Sequence, residues 1–376
     1  LERVLPDRIP VPPMEEELQV EKGEVDEMTI MKCLGLTAAA AAAMIWSAPY
    51  AMAQQPVTLR IHHYLAAQAP VPSKFMTEWT KKIETESNGR IKFEQYPSMQ
   101  LGGTPPQLFD QVKDGVVDIV WTLPGYTPGR FPRLETLELP FIAATGEQTS
   151  QAAWDFYEKH ARDELKDVKV LAVATHGPAA IHMRGNGIRK LEDMKGVKLR
   201  GPSRVVTDMI RMIGATPVGM PLPAVPESLS KGVIDGAAIA WEVVAPLRIA
   251  ELTNTHTTFS GNRSLYVLAF ILAMNKSKYD GLPADLKKVI DDNSGMATAK
   301  WLGRVIDEGD KPGIEAVKKR NNAIVELDAP ETARWKAAGR SVIAKWIEEM
   351  KAKGIDGNML VQDFEAMVTK YAGPVK

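Results

Sequence analysis

The chain has 376 residues, of which 25% are charged and 45% hydrophobic, with a formal net charge of -1 at pH 7. This is an ordinary globular composition with material for two lobes, and it excludes fibrous, collagen-like and disordered classes for the bulk of the chain. The charge is uneven: residues 1–27 carry nine acids against three bases and residues 54–376 carry 38 acids against 42 bases, so the larger part is mildly basic.

From Met28 the sequence runs through Lys32, a long apolar stretch, a proline and then Ala51-Met52-Ala53. That order is expected of a secretory signal peptide over 28–53, cleaved after Ala53, because the apolar core is short for a span and small residues flank its end. Residues 1–27 stand upstream of the position where such a peptide begins and are expected to be a non-native extension, leaving 54–376 as the folded, exported part. Cys33, the single cysteine, lies inside the signal segment and away from the cleavage point. The exported part is therefore expected to have no disulfide, thiol nucleophile or thiolate metal site, and no lipid anchor.

Residues 57–64, VTLRIHHY, are rich in β-branched side chains and predict a first strand. An amphipathic stretch from Val71 to Ser87, stopped by Asn88-Gly89, predicts a helix. IKFEQYP supplies a second strand, TPPQLFDQVKDG a second helix capped by Thr104 with Pro105 at its first position, and VVDIVWT a third strand. This βαβαβ order implies a parallel sheet. KDGVVDIVW at 113–121 and SKGVIDGAAIAW at 230–241 both leave a helix at Gly and enter a strand through Val-Val/Ile-Asp, which suggests two related α/β lobes: one over about 57–167 with later crossing segments, the other over about 168–264. VKVLAVATH from Val168 would open the second lobe, followed by VKLR and a helix from Ser203 to Ile213. LYVLAFILAMN at 265–275 reads as a buried strand. Helical spacing from Pro283 to Lys311, with a break near Ser294-Gly295, predicts a helix of about 40 Å at 1.5 Å per residue, long enough to span both lobes. Helices over 329–353 and 359–371 finish the chain.

Motifs of catalysis are missing. No P-loop or G-x-S-x-G elbow occurs, and GNGIRK at 185–190 lacks the spacing of a dinucleotide fingerprint. No cofactor is expected, and no metal: His62 and His63 are adjacent on a strand and point to opposite faces, so at most one of them, taken as His63, faces a site. Trp121, Tyr126, Trp241 and Phe259 fall at or just beyond strand ends, where open α/β sheets bind ligands. Arg200 closes the run VKLR, with Gly201-Pro202 behind it and Ser203 placed to cap the following helix. That arginine is either a solvated strand end or a fixed cation facing a cleft.

Residues 191–244, LEDMKGVKLRGPSRVVTDMIRMIGATPVGMPLPAVPESLSKGVIDGAAIAWEVV, resemble the core of the solute receptors of tripartite ATP-independent periplasmic (TRAP) transporters, the DctP type. D-M-K-G-x-K-x-R-x-P, G-A-T-P and G-V-I-D-G occur in the family's order, and SNGRIKFEQYPSMQLGG with VKDGVVDIVWT matches its N-terminal region. The resemblance implies a two-lobed α/β, periplasmic-binding-protein-like fold that closes over a small organic acid and delivers it to a TRAP-type membrane permease. It implies no nucleic-acid partner and no membrane span after cleavage. By the same resemblance Arg200 bonds the ligand carboxylate, Ser203 contacts the ligand and Leu222 forms part of the wall. Ile239 stands where many members have Asn, followed by Trp241 and Glu242. A second arginine of some members aligns near Ala180 and is absent, with Arg184 or His176 as the available substitutes. The other classes weighed are a secreted hydrolase using Glu242 or His176 as general base, and a receptor of the same fold serving an ABC transporter or a sensor kinase.

Overall fold

The structure, a computed structural model, describes residues 55–375; the readings of 1–27, of 28–53 and of cleavage after Ala53 lie outside the described residues. Strands β1 (Val57–His63), β2 (Ile91–Tyr96) and β3 (Ile119–Thr122) run parallel, with β1 in the middle, as the alternation with helices requires. The crossover helices are α1 (Thr77–Glu86), entered through a π-turn over Val71–Met76, and α2 (Leu108–Lys113). Each buries its apolar stripe: Trp79 and Ile83 from α1, Leu108, Phe109 and Val112 from α2. Helix α3 (Gly146–Phe156), which the sequence pattern did not announce, is capped by Thr145, whose hydroxyl accepts the Gln148 N–H.

Strand β4 (Val168–Thr175) departs from expectation. It does not open a second sheet but closes the first, whose order is β2-β1-β3-β10-β4 with β10 (Ala269–Asn275) antiparallel to both neighbours. The first sheet is therefore mixed. Its edge at β4 is apolar enough to be buried on both faces, which is why β4 reads like a central strand of either lobe.

The second sheet holds β5 (Ala179–Met183), β6 (Lys198–Gly201), β7 (Thr216–Gly219), β8 (Gly236–Ala240), β9 (Thr255–Phe259) and β11 (Ala323–Leu327), in the order β11-β9-β5-β8-β6-β7. Strands β6, β7 and β8 are parallel, and β5 runs antiparallel to β8 and β9. Three stretches of chain cross between the sheets: β4 to β5 through residues 176–178, β9 to β10 through 260–268, and β10 to β11 through the helical stretch 276–322. Helix α4 (Arg204–Met212) follows β6 and α5 (Val225–Ser230) precedes β8, the second copy of the helix-Gly-strand device.

The predicted long helix is two helices. Helix α6 (Ala284–Asp292) ends at Asn293, Gly295 adopts a φ of 84°, and α7 (Met296–Lys319) runs on past the expected end at Lys311, with Pro312 inside it. A left-handed glycine is the ordinary way to re-aim a chain between helices. α7 touches both halves of the molecule, packing on α3 beside the first sheet and on the turn at Trp241–Val243 beside the second. α8 (Ala329–Ala352) and α9 (Gly357–Ala372) complete the fold, and α8 is tied to α4 by Lys345 on Asp208 at 2.9 Å.

Candidate functional site

The carboxyl ends of β1, β3, β6 and β8 and the amino-terminal end of antiparallel β10 converge on one cavity. It contains about 510 Å³ of atom-free space, mouth included. Its aromatic wall is Tyr64, Trp121, Tyr126, Tyr266 and Phe270, and aliphatic groups such as Val71, Ile239 and Ile306 fill between them. Trp121 stacks on Phe270 with ring centroids 4.8 Å apart, and Tyr64 meets Tyr126 edge-on at 5.5 Å.

Arg200 is the only Lys or Arg on this wall and is 2% exposed. Its guanidinium is anchored by backbone: Nε donates to the Met220 carbonyl at 3.1 Å and Nη1 to the Ala238 carbonyl at 3.0 Å. Nη2 is buried and has no partner, and no carboxylate of the protein pairs with the group. Leaving a charge-bearing donor buried and unpaired is costly, and two neutral carbonyls do not balance a full charge. The arrangement presents a rigid cation that lacks its anion.

Three further polar atoms on the same wall are buried and unpaired: Trp121 Nε1, Tyr266 Oη and Glu242 Oε2. Burial pushes the Glu242 carboxyl up, and the neighbouring Asp307 pushes it further, so the neutral acid is favoured well above the usual carboxylate range. Tyr126 closes the mouth, its hydroxyl accepting the Leu222 N–H at 3.0 Å from the opposite lobe.

Six of the nine site residues read from the sequence come together here: Arg200, Leu222, Glu242, Trp121, Tyr126 and His176. His176 is structural as well as a wall group, because its Nδ1 pairs with the Gly177 carbonyl at 2.6 Å and its Nε2 accepts the Leu268 N–H at 3.0 Å. Burial lowers its pKa to about 4, so it is neutral, and with both ring nitrogens engaged it has none free to serve as a general base or to replace a second arginine. Arg184 is exposed and off the wall.

The other three are placed elsewhere. Ser203 caps α4, accepting the Val206 N–H at 3.4 Å, and its hydroxyl turns to the buried Glu138 and away from the cavity. Trp241 packs against His182 and His256 at 5.0 and 5.6 Å, on the far side of the chain from its neighbour Glu242. His63 shares a face of the first sheet with Trp121, its register partner, but sits below the cavity, fully buried with both ring nitrogens unpaired. Phe259 packs on Phe141 and Trp335. Tyr64, Tyr266 and Phe270 are wall residues that sequence reading missed; Tyr64 ends the VTLRIHHY strand as Trp121 ends the third, and that parallel was the available signal. Among the described residues no group of three or more His, Cys, Asp or Glu is arranged to hold a metal.

Two mixed α/β sheets joined by crossing strands, with an unpaired cation in a closed aromatic cavity between them, define a receptor for a small organic anion. Residues 61–349 match the family model of bacterial extracellular solute-binding proteins, family 7 (DctP), and the chain belongs to that family. A TRAP solute-binding protein from Rhodoferax ferrireducens T118, solved with copurified benzoate, is 48% identical, with a TM-score of 0.82 over 84% of this chain and 98% of that one. A marine-metagenome TRAP protein specific for aromatic acid ligands, solved with 3-hydroxybenzoate, is also 48% identical, with a TM-score of 0.83 over 84% and 99%. The C4-dicarboxylate-binding periplasmic protein DctP of Rhodobacter capsulatus is 25% identical over 87% of this chain and 97% of its own length. The protein is a carboxylate-binding TRAP receptor of the two-lobed fold. No helix among the described residues is long and apolar enough to cross a membrane.

Proposed function

We propose that this receptor captures an aromatic monocarboxylate in the periplasm and hands it to a TRAP-type permease. One observation carries the reading: Arg200 offers an unpaired Nη2 into a cavity whose other walls are mostly aromatic and aliphatic. The carboxylate of the ligand supplies the missing anion through charge-assisted hydrogen bonds, and its ring lies among Tyr64, Trp121, Tyr126 and Phe270. The two relatives at 48% identity, solved with benzoate and 3-hydroxybenzoate, support an aromatic ligand. The two sheets act as lobes, the first built on β1 to β4 with β10 and the second on β5 to β9 with β11, and they separate to admit ligand and close on it. Export rests on the Ala51-Met52-Ala53 site; N-terminal sequencing of periplasmic material should begin at Gln54, and recovery of the chain with Met28 in the membrane fraction would contradict it.

Titration calorimetry on ligand-stripped protein tests the ligand class. Benzoate or a hydroxybenzoate should bind and be recovered unaltered, while succinate and fumarate should bind at least about a hundredfold more weakly, a difference of about 2.8 kcal/mol. Tight binding of a C4-dicarboxylate with no response to any aromatic acid overturns the reading.

A further inference from the structure

The cavity has a second polar pole on the α7 side. Glu242 stands in the turn after β8, four residues beyond Ala238, whose carbonyl holds Arg200, and its Cβ abuts Gly309 of α7. It is 6% exposed, and Oε2 has no partner. Beside it lies Asp310, with Oδ1 also buried and unpaired. Asp307, the third acid, is satisfied: its two oxygens accept the Gly146 and Glu147 N–H groups at 2.7 and 2.8 Å, at the start of α3. Neither Glu242 nor Asp310 forms an ion pair. Tyr266 lines the same cavity and stands within the electrostatic reach of both Arg200 and Glu242.

An anion brought to the Glu242 pole would therefore meet buried acids with no counter-charge. Burial raises both carboxyls, with Asp307 adding to it at Glu242 and Glu242 and Asp307 adding to it at Asp310, so each is favoured as a neutral acid able to donate one hydrogen bond and accept others. A hydroxyl suits such a partner in either direction, and the unpaired Tyr266 Oη can share it. A second carboxylate does not suit it, since it would have to compete for the same proton or sit charged beside the pair.

We propose that Glu242 is a specificity-determining residue that selects aromatic acids bearing a neutral hydrogen-bonding group, such as a ring hydroxyl, away from the carboxylate, and rejects aromatic dicarboxylates. This rests on the aromatic-monocarboxylate reading above. Position by position, Arg200 takes the charge that every ligand shares, and Glu242 reads what stands at the other end of the ring.

The test compares benzoate, 3-hydroxybenzoate, 4-hydroxybenzoate, isophthalate and terephthalate by calorimetry on the wild type, Glu242→Gln, Glu242→Leu and Arg200→Ala, with ligand-free melting curves as a folding control. In the wild type the tighter hydroxybenzoate should beat the tighter phthalate by at least about a hundredfold. In Glu242→Gln, whose neutral amide keeps shape and hydrogen bonding but carries no acid, that ratio should fall by at least about tenfold. In Glu242→Leu the preference for hydroxybenzoate over benzoate should fall by at least about tenfold, the unpaired hydroxyl now being buried against carbon. A ratio that moves less than this in both variants overturns the assignment of Glu242 while leaving the aromatic reading intact. Near-wild-type affinity for these acids in Arg200→Ala overturns the Arg200 clamp, and a wild type that binds none of the benzoates overturns the aromatic reading; either result takes the inference with it.

Discussion

Arg200 carries two duties that a strand-end arginine is seldom given. Its Nε and Nη1 tie the chain at Met220 to β8 at Ala238, and only Nη2 is left for a ligand. Truncating one member of a buried charge pair costs about 2 to 5 kcal/mol, so Arg200→Ala should weaken carboxylate binding by about thirtyfold to several thousandfold. Because two carbonyls lose their donor, the ligand-free protein should also lose about 1 to 3 kcal/mol of stability. Arg200→Lys keeps the charge but cannot hold two carbonyls and an anion with a planar fork, and should recover only part of the affinity. Calorimetry beside urea unfolding separates the two effects; near-wild-type affinity in the alanine variant would rule out the clamp. His176 makes a second residue-scale case. Its ring bridges the Gly177 carbonyl and the Leu268 N–H, on two of the crossing segments, and His176→Ala should cost about 1 to 3 kcal/mol of stability by leaving both unpaired. A change below about 0.5 kcal/mol in urea unfolding would show the bridge to be unimportant.

Helix α7 is the element on which the two halves meet, and glycines let it approach them. A Cβ at Gly303 would collide with the Gly146 carbonyl and Ser150 Oγ of α3; one at Gly309 would strike Pro70 and Glu242; one at Gly313 would strike the Trp241 carbonyl. Alanine is favoured over glycine in a helix by about 1 kcal/mol, so Gly303→Ala would stabilise a free helix. Here the clash should win, with a net loss of about 1 to 3 kcal/mol, as overpacking in a rigid contact typically costs. Thermal melting decides between the two signs. None of this was legible in the helical spacing, which located the helix and its break near Gly295 but set its end at Lys311, because nothing in the periodicity says that a helix continues through Pro312. The strands show the same limit. β1, β2 and β3 announce themselves through local pattern, whereas β5, β9 and β11 are fixed by pairing with distant partners. Parity explains the misplaced site residues. Trp241 and Glu242 are neighbours on opposite sides of the chain and only Glu242 lines the cavity, a choice composition does not make; His62 and His63 also point to opposite faces of β1, and neither lines the cavity. Arg200 was legible because Gly-Pro and a capping serine surround it; Tyr266 and Phe270 were not, since only the antiparallel pairing of β10 with β3 and β4 brings them to the cleft.

For the whole molecule, buried titratable groups set a pH profile. Burial lowers His176 and His256 to about 4 and His182 to about 3, so their contribution is complete above the unfolded value of about 6.5 and is lost as pH falls toward 4. Burial raises Glu138 to about 8 and Glu164 to about 7. In the folded state these acids hold protons that the unfolded chain has released above about 4.5, so their contribution is greatest below that pH and is lost as pH rises through 7 and 8. Above about pH 7.5 the histidines of the unfolded chain are nearly all neutral while the buried carboxyls still titrate, so the ligand-free melting temperature should fall between about pH 7.5 and 8.5. Glu138→Gln should flatten the fall, and a melting temperature that rises or stays level would contradict the assignment. Opening of the lobes belongs to the same scale: the Leu222 to Tyr126 hydrogen bond closes the mouth, and small-angle scattering should give a larger radius of gyration for stripped protein than for protein saturated with its acid. Equal radii would argue against closure.

The four unpaired atoms of the cavity, Arg200 Nη2, Trp121 Nε1, Tyr266 Oη and Glu242 Oε2, bear on how the molecule advertises its cargo. Water satisfies them when the lobes stand apart, and a fitting acid satisfies them when the lobes are shut. Shut and empty, each costs about 1 to 3 kcal/mol. The empty receptor should thereby be held mostly open, so that its outline reports occupancy. Paired fluorophores across the mouth should find stripped protein mostly open, and a stripped population that is mostly shut would refute this.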